Sequence, residues 1–260
     1  TIMQGVNLEI HDGEFVVILG PSGCGKSTLL RSLCGLERLD GADSEIQLWG
    51  QSLQKSGKLS TDVRQLRTHI GIIFQQFNLV GRMDVLTNVM TGLLPHIPLH
   101  RSLLGWFTPE EKFKALKALH SVGLSEQAMQ RASTLSGGQQ QRAAIARALV
   151  QGARILLADE PVASLDPEST RRVMDLLRQL QREQGMTLVI SLHNVNLARQ
   201  YCDRIIALRE GRLVYDGPPM GLDNQRLREL YGTHSDELFM DHPPETPEPL
   251  FNPTLQLLAH

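Results

Sequence analysis

The chain has 260 residues, 41% of them hydrophobic and 21% charged, with a formal net charge of -2, the profile of a globular protein long enough to bury one large core or two lobes. That near-neutral balance provides no electrostatic footprint for nucleic acid, so no nucleic-acid partner is expected. Three cysteines, Cys24, Cys34 and Cys202, are too few and odd in number for a disulfide framework and point to a reducing compartment; no stretch approaches the roughly 18 apolar residues that cross a bilayer, and no basic start followed by an apolar run opens the chain, so a cytosolic protein held to any membrane through a partner is expected.

In chain order, residues 1–10 read as a strand, and because it opens on Thr1 a natural start further upstream is expected. Asp12-Gly13 is a turn dipeptide, and residues 14–19 (EFVVIL) are apolar almost throughout, like a strand buried on both faces. A glycine-rich loop follows, then a helix over about 26–34 and a short apolar strand at 70–74. From about 79 to 142 the pattern is mainly helical, without a strong strand signal, and reads as a helical insertion. Within it Thr108-Pro109-Glu110-Glu111 is a capping box with proline at the first helical position, and Phe113, Leu116 and Leu119 are expected on one face. Strands return at 154–158 (RILLA) and 187–192 (TLVISL); between them Val173, Leu176, Leu177 and Leu180 keep helical spacing up to Gly185. Residues 205–209 and 212–215 flank Glu210-Gly211 as a hairpin. Strands alternating with helices argue for a mostly parallel α/β sheet. From 234 the chain is rich in proline and acidic residues and reads as a tail with little fold of its own, which leaves 1–233 as the domain.

Three segments carry chemistry. Gly20-Pro21-Ser22-Gly23-Cys24-Gly25-Lys26-Ser27, between a strand and a helix, has the spacing of a phosphate loop. Its glycines let backbone N–H groups curl around phosphate oxygens, and the helix N-terminus, where Thr28 follows, adds its positive end. Lys26 would reach the β- and γ-phosphates, and the Ser27 hydroxyl would bind Mg²⁺. Residues 155–160 (ILLADE) form a buried strand ending in two carboxylates, at the end of a parallel sheet where ligands bind. There Asp159 is placed to hold Mg²⁺ and Glu160 to orient and deprotonate a water. Leu135-Ser136-Gly137-Gly138-Gln139 opens a helix with an alanine-rich face (Ala143, Ala144, Ala148). It reads either as a simple N-cap or as a second anion site. One ATP needs only one helix N-terminus from a chain, so as an anion site it would serve the ATP of a facing copy.

The phosphate loop, Gln75, the pentapeptide at 135–139, Asp159-Glu160, Ser164-Leu165-Asp166 and His193, in that order, resemble the nucleotide-binding domain of ABC ATPases up to about Gly232. The resemblance implies an α/β fold of the P-loop NTPase type (RecA-like, with a mostly parallel sheet), an antiparallel β portion and a helical subdomain at about 79–142. It also implies a head-to-tail homodimer that sandwiches two MgATP, each touching one phosphate loop and the opposite Ser136, Gly137, Gly138 and Gln139. By the same resemblance Gln75 contacts Mg²⁺ and the attacking water, Asp166 lies in a loop crossing the dimer interface, and His193 contacts the γ-phosphate. Read from the residues alone, Gln75 could as well cap the strand at 70–74, Asp166 could start a helix, and His193 could be structural. Cys24 contributes backbone, with no redox role expected. The family's adenine-stacking aromatic, about two dozen residues before the loop, has no counterpart here, since no Phe, Tyr or Trp precedes Phe15. ATP affinity is therefore expected to be lower by about 1–3 kcal/mol unless that residue lies upstream.

Residues 74–80 (FQQFNLV) offer apolar groups beside a polar site, suited to receive a short helix of a membrane permease, or else belong to the core. They are similar, with residues 100–112 including Trp106-Phe107-Thr108, residues 133–142 and residues 163–168, to the phosphonate-import ATPases of bacteria. That resemblance implies a peripheral subunit on the cytoplasmic face of the bacterial inner membrane, bound to integral-membrane permease subunits and served indirectly by a periplasmic solute-binding protein. Phosphate, methionine or another polar solute would leave the same ATPase residues. Two other classes remain distinguishable: a soluble ABC protein of repair or translation, which would show DNA- or ribosome-stimulated hydrolysis, and a small-molecule kinase, which would pass phosphate to a metabolite.

Overall fold

The computed structural model describes residues 3–232, so the tail expected from 234 lies outside the described residues. The elements in order are β1 (Phe15–Leu19), α1 (Lys26–Leu33), β2 (Glu45–Leu48), β3 (Gln51–Lys55), β4 (Lys58–Leu59), α2 (Val63–Thr68), β5 (Ile70–Ile73), α3 (Val85–Met90), α4 (Leu99–Leu104), α5 (Pro109–Ser121), α6 (Gly137–Gln151), β6 (Ile155–Asp159), α7 (Pro167–Gln184), β7 (Thr187–Ser191), α8 (Val195–Tyr201), β8 (Arg204–Arg209), β9 (Arg212–Gly217) and α9 (Asn224–Tyr231).

The main sheet has the order β5-β6-β7-β1-β8-β9; its first five strands run parallel, and β9 closes the edge antiparallel to β8. Strand alternation sends successive side chains to opposite faces, so one sheet builds two cores. Phe15, Val17, Leu19, Leu156, Leu188 and Ile190 face the larger core under α5, α6, α7 and α8. Val16, Ile18, Leu157 and Val189 face the smaller one, shared with α1, α2 and β3. All five residues of β1 and of β7 are buried, which explains why those strands read as continuous apolar runs.

The separate antiparallel sheet β2-β3-β4 was not legible as strands, because its residues alternate between exposed and half-buried and include only one fully buried apolar side chain, Leu53. It is fastened to the body by polar contacts. Fully buried Gln54 donates to the carbonyls of Ser32 (2.9 Å) and Glu37 (3.1 Å), satisfying its amide where water cannot reach. On the far side, the Arg154 guanidinium lies 4.4 Å from the Trp49 ring centroid, and Trp49 Nε1 donates to Asp12 Oδ1 at 2.9 Å.

Two expectations are corrected. The described part of residues 1–10 forms no strand: Met3, Leu8 and Ile10 pack on the smaller core, and the Gln4 N–H donates to the Gly211 carbonyl (2.9 Å) without a ladder. On α5, Phe113 is 69% and Leu116 41% exposed, while Ala115, Ala118 and Leu119 are buried. A spacing of three falls short of a turn by about 60°, so Phe113 and Leu119 point about 120° apart, and α6 takes the face whose alanines allow close approach. The rest of the helical pattern holds, including the Thr108 capping box with Glu111 and Pro109 in the first turn.

Helix α7 is seated by Val173, Met174, Leu176, Leu177 and Leu180, and Gly185 ends it in the left-handed conformation. Leu177→Ala is expected to cost about 2–5 kcal/mol of unfolding free energy, measured by urea titration; a loss below about 1 kcal/mol would mean α7 is not part of the cooperative core.

Candidate functional site

Four neighbouring strands, β5, β6, β7 and β1, end on the same edge of the sheet, and each delivers a polar segment there. From β1 the chain enters the loop at 20–25. A Cβ on Gly20, whose φ is 150°, would lie 2.2 Å from the Leu208 carbonyl oxygen, so only glycine lets the loop leave the strand this close to β8. Gly25, in the left-handed region, starts α1. Lys26 is 5% exposed, and its ammonium donates to the carbonyls of Gly20 (2.7 Å) and Pro21 (3.1 Å), so the loop wraps its own cation. Cys24 is buried, and its carbonyl accepts from the Gly211 N–H at 3.0 Å, tying the loop to the β8–β9 turn. Pro21, Ser22 and Gly23 complete the loop, and Ser27 and Thr28 form the first turn of α1.

Strand β6 ends in Asp159, and Glu160 follows with φ of 50°, a left-handed backbone unusual for a side chain of this kind. The Glu160 carboxylate is held from two sides: the Gln75 amide, beyond the end of β5, donates to it at 3.4 Å, and the His193 Nε2, beyond β7, makes a short contact with its other oxygen. Sheet order thus gathers Gln75, Asp159, Glu160 and His193, which lie up to 118 positions apart in the chain.

The sequence reading missed Ser191, the last residue of β7. Its hydroxyl donates to Asp159 Oδ1 at 2.7 Å and accepts from the Glu160 N–H at 2.9 Å, and the residue is fully buried. Its one signal was a hydroxyl at the end of a strand that is apolar apart from Thr187 at its start.

The loop after Gln75 is also anchored. Arg147 of α6 donates to the carbonyls of Asn78 (2.7 Å) and Phe77 (3.4 Å), and burial pulls its pKa below the ordinary guanidinium value. Buried Asn88 accepts from the Val80 N–H (2.7 Å) and donates to the Val80 and Asp84 carbonyls (3.1 and 3.0 Å). Phe77 and Leu79 are not core anchors in the full sense: Leu79 packs against the larger core only partly buried, and Val80 is exposed.

The pentapeptide forms the start of α6. Ser136 is its N-cap, exchanging hydrogen bonds with Gln139 in a capping box (2.9 and 3.3 Å). A Cβ on Gly138 would lie 2.8 Å from Ser169, and one on Gly137 3.0 Å from Leu165, so both glycines let α6 meet the segment that carries Asp166. Asp166 itself caps α7 by accepting from the Ser169 N–H at 2.9 Å. The Ser169 hydroxyl and N–H hold its carboxyl below the usual carboxylate range.

Asp159, Ser27 and Gln75 offer carboxylate, hydroxyl and amide oxygens, a hard donor set that fits Mg²⁺. Among the described residues no group of three or more His, Cys, Asp or Glu could hold a metal ion alone. No helix among them is long and apolar enough to cross a membrane.

A profile of the ABC transporter family matches residues 3–163. The chain is 54% identical over 245 residues to the phosphonates import ATP-binding protein PhnC 1 of Cupriavidus metallidurans, across 94% of this chain and 86% of that one. It is 54% identical over 230 residues to the phosphonates import ATP-binding protein PhnC of Escherichia coli strain K12, across 88% of each. Among solved structures it is similar to a dimeric ATP-binding cassette in a post-hydrolysis state bound to ADP and Pi, with a TM-score of 0.70 and 37% identity over 84% of this chain and 90% of that one.

Asn88→Ala would strand the Val80 N–H in a buried setting and is expected to lower stability by about 1–3 kcal/mol, with the loop after Gln75 losing amide-exchange protection first. Unchanged exchange at Val80 would contradict the clasp.

Proposed function

The chain belongs to the ABC transporter family, and on that premise we propose that it is the ATP-hydrolysing subunit of an importer for phosphonates. The ATPase reading rests on one observation: a carboxylate held between Gln75 and His193 sits beside Asp159, with one strand, β7, between it and a glycine loop wrapped around Lys26. The substrate reading is supported by identities of 54% to proteins named for phosphonate import, since an ATPase subunit does not touch its cargo. The domain would span 1–233, with a helical subdomain at about 79–142 and the tail 234–260 attached.

In this reading the loop from Gly20 to Ser27 and the start of α1 at Thr28 hold the phosphates of ATP, with Lys26 leaving its loop carbonyls for the β- and γ-phosphates. Mg²⁺, when bound through Ser27, Gln75 and Asp159, neutralises charge on those phosphates. Glu160 accepts the proton of the attacking water as a general base. Gln75 orients that water, and His193 stands against the γ-phosphate. Ser136, Gly137, Gly138 and Gln139 present the N-terminus of α6 to the γ-phosphate held by a second copy, with Asp166 at the seam between the two. Closing and reopening of this homodimer would drive integral-membrane permease subunits that receive solute from a periplasmic binding protein. The chain would then sit peripherally on the cytoplasmic face of the inner membrane, touching the permease through the loop after Gln75.

Glu160→Gln is expected to keep ATP binding, lower turnover by about 100-fold or more, and accumulate an ATP-dependent dimer in light scattering; near-normal turnover would overturn the base assignment. Mixing Lys26→Ala with Ser136→Arg copies should recover turnover that neither shows alone, because a mixed dimer rebuilds one intact pocket. A mixture as inactive as its parts would overturn the shared pocket.

A further inference from the structure

We propose that Ser191 is a positioning residue for hydrolysis, one that fixes Glu160 while Asp159 orients its hydroxyl; this deepens the ATPase reading and rests on it. Glu160 is set in a left-handed backbone with φ of 50°, a conformation that side-chain-bearing residues keep only when surroundings hold them there. The side chain that holds it is Ser191, whose hydroxyl accepts from the Glu160 N–H at 2.9 Å, while the Ala163 N–H donates to the Glu160 carbonyl at 3.2 Å. The same hydroxyl spends its one proton on Asp159 Oδ1 at 2.7 Å. Asp159 thus orients the hydroxyl that sets the backbone of the expected base.

Strand pairing makes this arrangement rigid. β6 and β7 run in parallel register that places Asp159 beside Ser191, and on its other side Ser191 pairs with Ile18 of β1, two residues before Gly20. Ser191 is fully buried, so water cannot take over either hydrogen bond when the hydroxyl is removed. Losing it frees the turn at Glu160, so its carboxylate samples directions away from Gln75 and His193. Because Ser191 lies below the phosphate loop and does not belong to it, nucleotide binding should survive while the chemical step slows. The hydroxyl therefore acts through Glu160 and not on ATP.

The test is steady-state and single-turnover ATP hydrolysis by Ser191→Ala, Ser191→Thr and Ser191→Cys beside wild type, with KM for ATP measured separately. The expected result is a kcat lowered about 10- to 100-fold in Ser191→Ala with KM within about threefold, on the scale of a misplaced catalytic group, and recovery in Ser191→Thr, which keeps the hydroxyl. In the Glu160→Gln background the alanine change should have almost no further effect, because two groups acting as one unit are not additive. Ser191→Cys keeps the shape with a weaker donor and gives the same reading if the alanine variant does not fold. A kcat within twofold of wild type, or an equal loss with and without Glu160, would overturn the proposal. Absence of turnover in wild type itself would overturn the ATPase reading and this one with it, whereas an active wild type with an indifferent Ser191→Ala overturns this one alone.

Discussion

β6 and β7 pair in parallel from Ile155 beside Thr187 to Asp159 beside Ser191. A slip of one residue would send Asp159 to the opposite face of the sheet, away from Glu160's partners and from the hydroxyl that bridges them. The slip is opposed on both faces, since Leu156 would move from the larger core into the smaller one while Leu157 would move the other way. Register at the site is therefore enforced by apolar side chains that never approach it. Chemistry collects at the strand ends because that is where the ladder stops and backbone groups become available.

The two cores have different duties. The larger one gathers α5, α6, α7 and α8 against the sheet and holds the rigid frame. The smaller one lies under α1 and the antiparallel strands, and it is closed by polar fasteners: Gln54 beneath α1, and Arg67 donating to the Cys34 and Gly35 carbonyls at 2.9 and 2.7 Å. Fixed donors at the end of α1 hold that helix in place while its other end carries the glycine loop at 20–25. Carbonyls at a helix C-terminus need partners, and here a strand and a second helix supply them.

Much of this was legible because local rules and global packing agree. The glycine loop between β1 and α1, the capping box at Thr108, the apolar stripe of α7 and the Glu210-Gly211 hairpin each follow from residue chemistry at short range. Gln75 and His193 could be placed beside Glu160 only through family resemblance, since nothing within the chain order of strands says that β5, β6, β7 and β1 are neighbours. Ser191 escaped for the same reason: its meaning is a cross-strand register. The antiparallel strands escaped because their outward faces are polar, and residues 1–10 misled because apolar alternation also suits an extended segment that packs without pairing. On α5, three-residue spacing over two steps drifts off the face it seemed to define.

Helix α6 begins with the Ser136 cap and, three turns later, carries Arg147, whose guanidinium grips the loop behind Gln75. At about 1.5 Å per residue its 15 residues form a rod of about 22 Å. A rod has no independent ends. A displacement of the Asn78 carbonyl that Arg147 follows would tilt or slide Gly137 with it, because one helix joins the two. Under the proposed function, the link between the loop after Gln75 and the N-terminus of α6 would be a matter of leverage, and lengthening or softening this one helix would uncouple the two while leaving every reactive group untouched.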